Sequence, residues 1–173
     1  MKKLGISLLL IAIISLTVLA GGTLSNSCEY LRIHIRANSN SEIDQNVKYQ
    51  IKNELISYLT PFISECNSKE DAIKTLNNNL KNVESVCNKV LKENGFSYES
   101  KASIRNELFP TRVYGEFKLE EGFYDALIVE LGKAKGDNWW CVVYPPLCFT
   151  QGDYPIKYKS KILEIINGFK NKS

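Results

Sequence analysis

The hydrophobic period of this chain changes at Asn94-Gly95, and that change limits the folds it can adopt. Before this point, apolar residues recur at helical spacing, which predicts two amphipathic helices. The first has apolar residues at four-residue steps and stops at Pro61, and the second starts with a capping box from Ser68 to Asp71. The apolar positions are Ile43, Val47, Ile51, Leu55 and Leu59 in the first helix, and Ile73, Leu76, Leu80, Val83, Cys87 and Val90 in the second.

Strand periods occupy the rest of the chain. Residues 31–36 alternate apolar and polar side chains ahead of the helices. Strand-like segments at 98–104, 113–119, 124–131 and around Trp139 follow them, and residues 162–169 carry one short apolar helical side. The order β-α-α-β-β-β-β predicts an α+β domain, with two helices packed on one face of a mostly antiparallel sheet.

The N-terminus has the pattern of an export segment. Lys2 and Lys3 precede an uncharged apolar run over residues 4–22, and Val18-Leu19-Ala20 resembles a signal-peptidase site. The run is also long enough to span a bilayer as an uncleaved anchor helix. In either case, the two lysines predict that the N-terminus stays in the cytoplasm and that the remaining chain crosses the membrane. The exported part is then either secreted or anchored to the membrane. We therefore divide the chain into a signal peptide or anchor (1–22), a linker (23–29), a single domain (30–150) and a C-terminal tail with a possible short helix (151–173).

Charge narrows the range of partners. The formal net charge is +3, and it falls to +1 without Lys2 and Lys3. The exported part is therefore close to neutral, and it has no basic block and no acidic tail. This composition argues against nucleic acid or an anionic membrane surface as the main partner of the domain.

Both tryptophans lie side by side in one predicted strand. Successive strand residues point to opposite faces, so Trp139 and Trp140 cannot both pack against one core. Either both are covered within the fold, by sheet on one side and helix on the other, or one of them is a rigid anchor for another protein.

The cysteines that flank the following diproline allow two interpretations. A reversal at Tyr144-Pro145-Pro146-Leu147 would bring Cys141 opposite Cys148 and permit a disulfide. A proline at the third position of that turn favours a cis bond. Alternatively, the diproline ends the strand and both thiols stay free.

Residues able to perform catalysis are few. His34 is the only histidine, which excludes a metal site with two histidines. A thiol-dependent hydrolase could combine His34 with Cys141 or Cys148, oriented by Asp44, although no spacing supports it. Cys87 is most simply a small core residue, and no glycine loop has phosphate-binding spacing. We expect no cofactor and no small-molecule substrate.

Together these segments resemble the stage II sporulation protein R family. The resemblance begins with Arg32-Ile33-His34-Ile35-Arg36-Ala37-Asn38-Ser39-Asn40-Ser41, Asp44-Gln45 and Lys48, and it continues through Phe109–Gly115, Tyr124–Leu127, Gly136–Val142 and Pro145–Cys148. It covers about residues 30 to 150. We call these positions the signature residues.

The resemblance implies an intercellular signalling protein of endospore-forming bacteria. Family members are made in the forespore and exported into the space between the two septal membranes. There they trigger a membrane-embedded aspartic protease, which cleaves the pro-sequence from sigma-E. We expect such activation to occur by binding, without catalysis by this chain. The candidate contact residues are Arg32, His34, Asn38, Trp139, Trp140 and Tyr144, with Cys141 and Cys148 as the candidate disulfide.

Overall fold

The computed structural model describes residues 29–150 and 156–171, and these form three helices and six strands. In chain order the elements are β1 (Leu31–Arg36), α1 (Glu42–Ile63), α2 (Lys69–Glu93), β2 (Ser100–Phe109), β3 (Arg112–Tyr114), β4 (Phe117–Leu119), β5 (Gly122–Leu131), β6 (Asn138–Tyr144), a 3₁₀ turn (Leu147–Phe149) and α3 (Ile156–Lys170). Nearly all of the predicted export segment and linker, including Cys28, lies outside this range. No helix in the described part is both long and apolar enough to cross a membrane.

A four-stranded sheet in the order β2-β5-β1-β6 organises the fold. The β1–β5 pair is parallel, whereas β1–β6 and β2–β5 are antiparallel. The predicted α+β class with a mostly antiparallel sheet is confirmed. The predicted strand over 113–119 is instead the separate hairpin β3–β4, because Gly115 turns the chain with a φ of +62°.

The first helix differs from its prediction at both ends. Ile43 is 66% exposed, because steps of four residues drift by about 40° each around a helix and move the first position off the buried face. Pro61 lies inside the last turn rather than ending the helix. Continuation to Ile63 buries that side chain completely, which offsets the one backbone hydrogen bond that proline cannot make.

The second helix begins as predicted. The Ser68 side chain accepts a hydrogen bond from the Asp71 N–H at 3.0 Å. Gly95 follows its C-terminal end with a φ of +79°. Buried residues of α1 and α2 pack on Ile33 and Ile35 of β1, and Ile162 and Ile166 of α3 join the same core. The C-terminal helix has 15 residues, and its buried side belongs to the main core.

Candidate functional site

The side chains of β1 divide between the two faces of the sheet. Ile33 and Ile35 point to the helices, whereas Arg32, His34 and Arg36 point to the other face, which we call the polar face. A small second core lies on this face and consists of Phe109, Tyr124, Ala126 and Ile128, with Tyr30 and Trp140 packed against it. The polar face therefore combines charged residues of β1 with aromatic residues of its neighbours.

Arg32 is completely buried in a box of aromatic rings. Its guanidinium carbon lies 4.3 Å from the ring centroid of Phe109 and 4.9 Å from that of Tyr124. One nitrogen donates to the Tyr114 hydroxyl at 2.7 Å, but Nε and Nη1 have no hydrogen-bond partner among the described residues. Burial lowers the pKa of Arg32 from its usual value. The positive charge is thus held by aromatic rings and one tyrosine hydroxyl, without a described carboxylate.

His34 lies between a carboxylate and two rings. Its Nδ1 is 3.2 Å from Glu107 Oε2, and its ring centroid is 5.3 Å from that of Trp140 and 5.7 Å from that of Phe109. Burial lowers the pKa of His34, although the hydrogen bond to Glu107 opposes this. Nδ1 shares this contact with Glu107, whereas Nε2 forms no hydrogen bond of good geometry within the described chain, although the nearby Asn138 side chain also raises the pKa of His34.

Two arginines and two glutamates form a compact network beside His34. Arg36 donates to both Glu107 oxygens at 2.8 Å and to Glu130 at 3.0 Å. Arg105 donates to Glu107 at 2.9 Å and to Glu130 at 3.0 Å. Burial opposes ionisation of Glu130, but hydrogen bonds from Arg105 and Arg36 hold its pKa below the usual range. The network balances its own charge, so these four residues have a structural explanation.

The tryptophans lie on opposite faces, as strand geometry requires. Trp139 packs against the helix-side core, with Lys52 Nζ 5.9 Å from its ring centroid. Trp140 packs against the polar-face core, with the Arg112 guanidinium carbon 4.4 Å from its ring centroid. Both rings are half-buried, so neither is fully covered within the fold and neither is fully exposed. β6 is an edge strand, and its two rings therefore remain partly open to solvent.

The end of β6 closes as a small covalent loop. Cys141 and Cys148 form a disulfide, with their Cα atoms 6.2 Å apart. The cis peptide bond is Tyr144–Pro145, one residue earlier than the turn argument predicts, and a 3₁₀ turn replaces a returning strand. Tyr144 is buried in the main core and contacts the Phe169 ring. It therefore does not share a surface with Trp140.

A second group of signature residues surrounds Asp44, at the end of β1. Asp44 Oδ2 accepts from Asn38 Nδ2 at 2.9 Å and from Ser39 Oγ at 2.5 Å, and its Oδ1 accepts from the Tyr98 hydroxyl at 2.5 Å. Burial opposes ionisation, but these hydrogen bonds hold the pKa of Asp44 below its usual range. Asn38 therefore fixes a loop, and its contact with a partner stays a prediction.

Lys48 ties the same loop to the start of β6. Its buried ammonium donates to Gln45 Oε1 at 2.6 Å and to the Asp137 carbonyl at 3.0 Å. Gly136 must be glycine here, because a Cβ atom would fall well inside van der Waals distance of the Ser39 backbone. We call the side chains around Asp44 and Lys48 the loop network.

The residues that the thiol-dependent hydrolase alternative requires do not lie together in one site. Cys141 and Cys148 share a disulfide, and Asp44 belongs to the loop network rather than to His34. Cys66 and Cys87 are buried, and burial raises the pKa of Cys87 to about 12. No group of three or more metal-ligating side chains occurs within residues 29–150 and 156–171.

The sequence patterns did not predict that the polar face includes Glu107, Arg112 and Tyr114. The prediction ended β2 at residue 104, although Arg105, Glu107 and Phe109 follow at the two-residue spacing that places side chains on one face. That alternation was the available signal. Arg112 and Tyr114 reach the face from the β3–β4 hairpin, and no local pattern predicts this.

The fold and site define an α+β domain with a buried, ring-enclosed arginine and an aromatic edge strand. The family model described as stage II sporulation protein R matches residues 27–154. The chain belongs to this family, as its resemblance predicts, and the family assigns it to sporulation.

A stage II sporulation protein R from Bacillus subtilis (strain 168) is 31% identical over 119 residues. The alignment covers 69% of this chain and 53% of that protein, so the chain spans about half the length of this relative. No solved structure matches the chain significantly.

Proposed function

We propose that this chain is an exported sporulation signal that activates a membrane-embedded aspartic protease by binding it. The protease would then remove the pro-sequence of sigma-E. The chain would act from the space between forespore and mother cell, delivered there by residues 1–22, either cleaved or retained as an anchor. Membership of the stage II sporulation protein R family and the apolar N-terminal run support this proposal.

The observation that carries the binding role is the half-exposed Trp140 ring. It rests on His34 and lies under the Arg112 guanidinium, at an edge of the sheet. Tryptophan and arginine dominate the residues whose truncation most weakens protein interfaces. We call the Trp140 ring together with Arg112 the Trp140 surface, and the buried His34 supports it from below. It contrasts with the loop network, whose side chains mainly satisfy one another.

The proposal is tested by co-expressing the full chain, the protease and pro-sigma-E in a host without other sporulation proteins. We expect cleavage of pro-sigma-E only when the chain is present. Trp140→Ala should fold and weaken activation, since a hot-spot loss of about 2 kcal/mol lowers affinity about 30-fold. Phe123→Ala is the matched control, because Phe123 is 64% exposed and lies outside the Trp140 surface.

Two outcomes would contradict the proposal. Cleavage without the chain would remove the need for an activator. Normal activation by a folded Trp140→Ala variant, together with loss in Phe123→Ala, would move the contact to another part of the domain. Circular dichroism and thermal melting of both variants separate loss of folding from loss of contact.

A further inference from the structure

The outer edge of β6 presents backbone groups without partners. Val142 donates its N–H to Cys148 Sγ at 3.1 Å, so this N–H points away from β1. Antiparallel ladders alternate inward and outward residues, and Asn138 and Trp140 therefore also direct their N–H groups outward. No described strand pairs with this side of β6. Its first half is therefore an open edge, whereas the 3₁₀ turn covers the second.

The opposite edge of the sheet is partly protected. β2 is the other outer strand, and α2 occupies two of its outward N–H groups. The Ser100 N–H donates to Asn88 Oδ1 at 2.7 Å, and the Ala102 N–H donates to Glu84 Oε1 at 2.9 Å. Native proteins commonly block edges in this way to prevent pairing with other chains. No such side chain covers the β6 edge within the described part of the chain.

The open edge has an uncompensated cation on each face. Arg112 lies over Trp140 on the polar face, and Lys52 lies over Trp139 on the helix face. Neither forms a salt bridge within the part of the chain that the structure describes, and the Arg112 guanidinium donates to the Thr111 carbonyl at 3.1 Å. Arg32, also without a described carboxylate, adds positive charge below the polar face. An acidic partner segment would complement both faces.

We propose that β6 accepts an extended, acidic segment of the protein partner as a fifth strand of the sheet. The segment's backbone would pair with Asn138 and Trp140. Its side chains would alternate between Trp140 with Arg112 and Trp139 with Lys52, so that carboxylates at successive positions meet opposite faces. This inference rests on the proposed function, because it specifies how the activating contact is made.

Single-residue amide hydrogen exchange tests the strand pairing. The full chain in detergent is compared alone and with the solubilised protease. We expect the Trp140 amide to exchange at least about tenfold more slowly in the complex, because it gains a ladder hydrogen bond. The internal controls are the Trp139 and Val142 amides, whose exchange should change little. The ladder alternation pairs the Trp139 N–H with β1, and the Val142 N–H already donates a hydrogen bond to Cys148 Sγ.

The outcomes separate this inference from the proposed function. A complex that leaves the Trp140 amide unprotected overturns the strand addition and leaves activation by binding intact. If the Ile104 and Asn106 amides are protected instead, the partner segment pairs with the open half of β2. That result also overturns the proposed pairing with β6. Failure to form any complex overturns both proposals.

Charge variants test the acidic character of the segment. Arg112→Gln should weaken binding about tenfold at low salt, and Arg112→Lys should restore part of that loss. Lys118→Gln is the matched control, because Lys118 lies on the same hairpin and already pairs with Glu120 at 2.7 Å. Equal effects of Arg112→Gln and Lys118→Gln would overturn the acidic assignment.

Discussion

Replacing Asp44 by asparagine tests whether the loop network holds the fold. Asp44 is only 4% exposed and accepts hydrogen bonds from Asn38, Ser39 and Tyr98. An asparagine can keep its oxygen toward Asn38 and Ser39 and turn its amino group to the Tyr98 hydroxyl, which then accepts instead of donating. The variant keeps the number of hydrogen bonds but loses the charge assistance of all three, at about 1 kcal/mol each, so we expect a cost of about 3 kcal/mol. For a domain of this size that corresponds to about 10 °C in Tm.

Urea unfolding of the two proteins at pH 7 and at pH 3 is the assay. The folded-state pKa of Asp44 is lowered, so its contribution is present above the unfolded pKa of about 3.9. It is lost as pH falls through the folded pKa, and the two proteins should therefore converge in acid. Glu42→Gln is the control, because Glu42 is exposed in the same helical turn. Equal stability of Asp44→Asn and the unmodified chain at pH 7 would refute this reasoning.

Three further predictions concern the disulfide, the N-terminus and Gly136. Cys141 and Cys148 should resist alkylation without denaturant, and reducing their bridge, which spans a sequence separation of 7, should cost about 2.5 kcal/mol in urea unfolding; quantitative labelling of both thiols would exclude the bridge. Deletion of residues 1–22 should leave a folded domain that is retained in the producing cell and does not signal, so full activity of that form would contradict export. Gly136→Ala should cost about 2 kcal/mol in thermal unfolding, whereas Gly168→Ala, with open space around it, should cost nothing.

The sequence predicted features that depend on local periodicity. Helix and strand segregation and the Ser68 cap follow from residues close together in the chain, and the opposite orientation of the tryptophans follows from strand geometry. Contacts between distant residues were not predictable in this way. The His34–Glu107 contact joins positions 73 residues apart, and it depends on β5 pairing with both β1 and β2. The parallel β1–β5 pair has no local signal, since the two helices and three strands intervene.

Two groups of signature residues differ in their physical role and therefore in their consequences for mutagenesis. Asn38 donates to Asp44, and Lys48 donates to Gln45 and to the Asp137 carbonyl. A variant of these residues that stops signalling is therefore expected to have lost its folding first. Trp140 is half-buried at an open edge, so a folded variant there tests the proposed contact with the partner. Arg32 belongs to neither group, because it is fully buried yet lacks a described carboxylate. Its charge costs desolvation energy that the rings offset only in part, and added negative charge near β6 would lower that cost. An acidic strand on β6 would thus bind more tightly to a chain that retains arginine at this position than to one carrying methionine.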